Sequence, residues 1–180
     1  MNQSLVLSIL SDDKPGVVET LAKTINDHQG NWLESRLSQL AGKFAGILHI
    51  SVPEEQLEAL QTALRNLQSS RGIQVATAAA AGAENGPGTI VMQFSLMGND
   101  RAGIIREISQ AFVSHGINLE ELDTSCSSMP WSGTPMFTAN GLLRVPDSVD
   151  IELLADQLEA IADELGVDFE LRETESPVAD

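Results

Sequence analysis

The 180-residue chain has one cysteine, ten basic side chains against 26 acidic ones, and no run of eighteen apolar residues. Each shortage excludes something. A lone Cys126 forms no intramolecular disulfide and supplies no thiolate cage for a metal, so a disulfide scaffold is excluded and a reducing compartment is the expected setting. With no long apolar run, no membrane-spanning helix is expected. The opening MNQSLVLSIL lacks a basic leader and a small-residue cleavage site, so the expected location is the cytoplasm. A net charge of −16 argues against direct binding of nucleic acid, because that binding is driven by basic side chains that release counterions. Six of the bases and eight of the acids lie in residues 1–75, so the rest of the chain carries four bases and 18 acids.

What the chain does have is a repeat. SDDKPGVV at residues 11–18 returns as GNDRAGII at residues 98–105, and the shift of 87 also superposes His28 on His115, Asn31 on Asn118 and Glu34 on Glu121. Before each turn, Leu5, Leu7 and Ile9, and Met92, Phe94 and Leu96, alternate as in a strand with one buried face. After it, Val18, Leu21, Ile25 and His28, and Ile105, Ile108, Phe112 and His115, are spaced 3, 4, 3 as on one helix face. Pro15 suits a first helical turn, Asp12 or Asp13 can cap the free amides, and Gly30 and Gly116 mark the exits. Second strands follow in NWLESRLSQL and NLEELDTSCS, and third strands in FAGILHISVP and FTANGLLRVP. Helices then run over Leu57, Leu60, Leu64 and Leu67, and over Ile151, Leu154, Leu158 and Ile161, before the last strands GIQVAT and GVDFEL.

The order strand, helix, strand, strand, helix, strand, twice over, predicts an α+β protein of two ferredoxin-like (βαββαβ) domains in tandem. Each would be an antiparallel four-stranded sheet with two helices on one face. The expected boundaries are 1–75 for the first domain, an Ala/Gly-rich linker at 76–89, 90–172 for the second domain, and a disordered tail at 173–180. Open sheets of this kind leave exposed edges, and pairing domains or chains removes that liability, so a homodimer is expected.

The turn has its own chemistry. A helix start presents unpaired amides and partial positive charge, which favour a carboxylate, and Gly16 and Gly103 have no Cβ to block its approach. Asn31 and Asn118 each offer an acceptor for an ammonium and a donor for a carboxylate. Asp13 with Gly16, Val17 and Asn31, and Asp100 with Gly103, Ile104 and Asn118, are therefore two candidate sites for a zwitterion. The same residues can also serve only as cap, tight turn and bend.

The strand that ends in DKPGVV or DRAGII, with Asn31 or Asn118 opening the next strand, resembles the ACT domain, a small amino-acid-sensing regulatory module. The resemblance implies a non-enzymatic regulator that binds a small amino acid, glycine or serine, where such domains abut. It also implies action through a protein partner, such as a DNA-bound transcription activator of glycine cleavage genes. A free regulatory subunit of an amino-acid or folate enzyme is the alternative.

Other features are weaker. REISQAFVSHGINLEEL imitates a helix-turn-helix, but Glu120, Glu121 and Asp123 in its second half would repel phosphates. His28 and His115 sit where an imidazolium suits a helix C-terminus, and His49 has no evident role. Cys126, Ser127 and Ser128 lack a partner pattern for nucleophilic catalysis, so no catalytic residue, metal or other cofactor is expected. The segment 124–136 reads as a loop that carries Met129, Pro130, Trp131 and Met136 as a sheet cover or an interaction surface.

Overall fold

The computed structural model describes residues 1–81, 88–128 and 133–174. These fall into two compact units, residues 1–83 and 84–180. The first runs β1 (Asn2–Asp12), α1 (Val17–Asp27), β2 (Asn31–Leu40), β3 (Lys43–Pro53), α2 (Leu57–Arg71) and β4 (Gln74–Ala79). The second runs β5 (Thr89–Asn99), α3 (Ile104–Ser114), β6 (Asn118–Ser128), β7 (Pro135–Pro146), α4 (Ile151–Leu165) and β8 (Val167–Glu173). The sheet orders are β2-β3-β1-β4 and β6-β7-β5-β8, antiparallel throughout. Both units are therefore the expected ferredoxin-like plan.

The period-2 pattern of β1 decides the layering. Leu5, Leu7 and Ile9 are buried beneath the helices, while Ser4, Ser8 and Leu10 point to the open face. Leu48, Ile50 and Val52 of β3 complete the sheet side of the core, and Leu21, Ile25, Leu60, Leu64 and Leu67 complete the helix side. Each fully buried aliphatic side chain contributes about 1.5–3 kcal/mol relative to exposure. The second core is aromatic where the first is aliphatic. Phe94 lies 5.3 Å from Phe112 and 5.9 Å from Phe169 between ring centres.

Several expected details shift. The stripe of α1 is Val17, Leu21 and Ile25 rather than one starting at Val18, which is 46% exposed, and the stripe of α3 begins at Ile104. The helices start so close to the turn that the first of the two aliphatics, not the second, drops into the core. The exit of α1 turns at Gln29, whose φ is 58°, and Gly116 takes the equivalent left-handed place after α3. Gly30 is needed for a different reason: a Cβ there would come within 2.7 Å of Ile25 Cγ2.

Residues 76–79, expected in the linker, are strand, because their amides pair with Leu5–Ser8 of β1. Thr89 likewise belongs to β5, and Glu173 to β8. Residues 124–128 extend β6 rather than opening a loop. Met129, Pro130 and Trp131 and most of the expected tail lie outside the described residues.

The outer strands β2 and β6 each open with an irregularity. The register of β2 on β3 shifts between Trp32 and Glu34, and that of β6 on β7 between Leu119 and Glu121, so Leu33 and Glu120 are extra residues of β-bulges. Farther along, β2 and β3 approach too closely for a side chain at Gly46. A Cβ there would sit 2.0 Å from the Arg36 carbonyl oxygen, and the φ of 155° adds to the mismatch. Gly46→Ala should therefore destabilise the first unit by about 1–3 kcal/mol, the range of overpacking. The check is a lower urea midpoint at unchanged slope.

Candidate functional site

Each candidate site begins where a central strand hands over to a helix. Gly16 stands at the N-cap of α1 with φ 92° and ψ 0°, and Gly103 at the N-cap of α3 with φ 103° and ψ −12°. A residue with a Cβ is strained there by about 1–2 kcal/mol. Both main-chain carbonyls accept the first helical bonds, from Thr20 N and Glu107 N at 2.9 and 3.0 Å.

The structure overturns the expected capping. No side chain caps either helix, and Pro15 precedes the N-cap instead of occupying the first helical turn. With a left-handed glycine at the N-cap, the preceding aspartates make no side-chain hydrogen bond to the helix amides. The amide of Asp13 donates to Gly42 O at 3.0 Å, and that of Asp100 to Pro135 O at 2.9 Å, so both residues tie the turn to the neighbouring hairpin. Asp12 pairs with Lys43 at 2.5 Å, and that hydrogen bond and charge hold its carboxyl below the ordinary value. The helix amides are thus left to approach from outside the chain.

An open groove of about 610 Å³ lies beside the first turn, lined by Lys14, Gly16, Thr20, Arg71 and Gly72 among others. Lys14 Nζ donates to Arg71 O at 2.7 Å, which satisfies a carbonyl at the end of α2. At the matching positions ending α4 stand Glu164 and Leu165 in place of Ser70 and Arg71. The two turns share a backbone and differ in charge.

The structure does not bring the asparagines to the turns within a unit. Asn31 opens β2 opposite Ser51, which is opposite Ser4, whereas the turn follows Asp12. Eight strand positions at about 3.3 Å each separate the two ends by about 26 Å. Asn118 is likewise level with Arg144 and Val91, far from Asn99 at the other end of β5. Val17 and Ile104 are 4% and 2% exposed, so their side chains serve the cores and only their amides face the turns.

The remaining polar candidates have structural partners. His28 Nδ1 is 2.8 Å from Thr24 O at the end of α1, His115 Nε2 bonds Gln157 Oε1 at 2.6 Å between α3 and α4, and His49 Nε2 bonds Ser4 Oγ at 2.5 Å. The apparent helix-turn-helix ends in strand β6. Among the described residues no group of three or more His, Cys, Asp or Glu is placed to hold a metal ion, and no helix is long and apolar enough to cross a membrane.

The Cys126 thiol is held above its ordinary value, first by loss of solvent around the sulfur and then by the Asp100 carboxylate, which accepts its S–H and disfavours the thiolate. Sequence reasoning had no signal for this pair, because it arises only when β6 and the second turn meet at one end of the sheet. Asp100→Asn should lower the thiol pKa and speed alkylation of Cys126 by iodoacetamide at pH 8. A rate unchanged from the parent would exclude the pairing.

Three comparisons bear on this geometry. Residues 3–77 match the family model of the ACT domain. No curated protein matches the sequence. Among solved structures, an unknown protein from Galdieria sulphuraria superposes with a TM-score of 0.85 at 26% identity, over 97% of this chain and 100% of that one. A protein proposed to be a glycine cleavage system transcriptional repressor superposes with a TM-score of 0.72 at 18% identity, over 98% and 99% of the two chains. The family match runs from β1 into β4 of the first unit, and the second unit repeats the same strand and helix order.

Proposed function

We propose that the protein is a non-enzymatic regulator that responds to a small amino acid, in the manner of a glycine cleavage system transcriptional repressor. It acts in the cytoplasm by restraining a protein partner such as a DNA-bound transcription activator. The observation that carries this reading is the duplicated glycine turn, with two helix starts that no side chain caps, each open to the carboxylate of a ligand. The full-length likeness to a protein proposed to be such a repressor supports it.

The positions of the asparagines make assembly part of the reading. Within one domain Asn31 is about 26 Å from the turn, by the spacing of strand residues. When the outer strand β2 of one copy pairs antiparallel with β2 of a second, the start of each strand lies beside the end of the other. Asn31 then reaches the turn-bearing end of its neighbour, where Gly16 supplies amides for a carboxylate and Asp13 a counter-charge for an ammonium. Asp100 and Gly103, in the turn after β5, and Asn118, at the start of β6, offer the same set. A ligand bound between two domains in this way favours the paired state over the open one, and that difference is what couples it to a partner.

A thermal-shift screen of the purified chain against the twenty amino acids tests the reading. Glycine or serine should give a saturable stabilisation, about 2.7 kcal/mol at a hundredfold excess over Kd. Asn31→Ala or Asn118→Ala should weaken binding at least tenfold, and the full chain should recover a transcription activator rather than an amino-acid or folate enzyme from cytosol. No shift with any amino acid overturns the sensor reading.

A further inference from the structure

The open sheet face of the first unit bears almost no net charge. Two rows cross it, fixed by the strand register: Glu34, His49, Val6 and Ala78, then Arg36, Ile47, Ser8 and Ala76. Ile47 is 52% exposed and Leu10, one turn of the pleat farther along β1, is 43% exposed. The one carboxylate and one guanidinium in these rows, Glu34 and Arg36, are both on the outer strand β2.

We propose that this face is a self-association surface that packs against the same face of a second copy of the chain. The argument is one of symmetry and charge. A two-fold axis that lies between the sheets and runs across the strands lays β2 over β2 in opposite direction. Centred between the two rows, it sets Glu34 over Arg36 of the second copy and Arg36 over its Glu34. The same operation puts His49 over Ile47, Val6 over Ser8 and Ala78 over Ala76. Opposite charges meet twice, and nowhere in the two rows do like charges meet. Small residues on β1 and β4 let two sheets close to the usual separation of about 10 Å.

The matching face of the second unit lacks this self-complementarity on its outer strand. Its equivalent rows, 87 residues on in the central strand, are Glu121, Leu142, Gln93 and Arg172, then Asp123, Asn140, Ser95 and Glu170. The same operation would set Glu121 over Asp123 of the second copy twice along β6, and the one base of these rows, Arg172, lies on the far strand β8, where it pairs with Glu170. The carboxylate repulsion on β6 disfavours the same contact in the second unit.

The size of the face sets the strength. Four strands about 4.8 Å apart, with about eight residues each at about 3.3 Å, give about 500 Å² per copy and about 1,000 Å² in all. That is at the lower limit for a specific interface, so the dimer is expected to be weak, with a dissociation constant in the micromolar range. The surface is separate from the β2 edge used in the ligand reading. It uses side chains above the sheet, whereas the edge uses main-chain groups in its plane.

Sedimentation equilibrium of the full chain across a range of concentration tests the proposal without any ligand. The parent should pass from monomer to dimer, and Ile47→Glu, which adds a charge at an exposed site, should weaken the dimer at least tenfold. Glu34→Arg alone should also weaken it, and Glu34→Arg with Arg36→Glu should restore it. Ser8→Lys serves as a second probe if Ile47→Glu lowers the thermal midpoint. A chain that stays monomeric overturns the proposal, as does a dimer indifferent to these substitutions. In the latter case the edge or another surface holds the copies together, and the ligand reading survives.

Discussion

A main-chain angle available to glycine alone governs both units. At Gly16 and Gly103 the chain must pass through φ near +90 to +100° to leave the central strand and enter the helix above it. That hand-over places the first helix over the sheet, aims its apolar stripe at β1 or β5, and sets the crossover that puts β3 or β7 between the first two strands. It also uses up the position that a capping side chain would take. Steric necessity at one residue thus leaves the helix amides uncapped, and those amides are the feature with chemical potential for a ligand.

Much of this organisation was legible in the sequence. Alternation in β1 and β5 and the 3–4 spacing in the four helices gave the element order, because these elements bury one face and leave the other in water. The repeat gave the domain count by making each half a test of the other. The extra length of β4 was hidden by its composition, since the alanines at 76, 78 and 79 carry little information about pairing. The end of β6 was hidden for a related reason: Thr124, Ser125, Cys126, Ser127 and Ser128 are all exposed on an outer strand, so no apolar alternation marks them.

The candidate site was legible only in part. Spacing along the chain identified the glycine of each turn but misjudged its companions. Asp12 and Asp13 looked like caps because they precede a helix, yet Gly16 swings them toward the hairpin, where Asp12 finds Lys43 and the Asp13 amide finds Gly42. Asn31 looked close to Gly16 because only fourteen residues separate them. The helix between them spans the length of the sheet, so the strand that starts at Asn31 begins at the far end. Nearness in a repeat motif is nearness in a pattern, and the split βαβ connection turns it into maximal separation within one domain.

The bulges that open β2 and β6 have a consequence for how far such a protein can grow. A flat outer strand offers every second amide to any newcomer, and each newcomer offers its own far edge to the next, which is how fibres propagate. Leu33 and Glu120 interrupt that ladder at its first rungs and add local twist. A neighbour seated on such an edge meets a ladder in register over only part of its length, and the twisted remainder gives a third chain no template. The bulges thus limit strand-by-strand addition at the β2 and β6 edges, one of the two edges of each sheet.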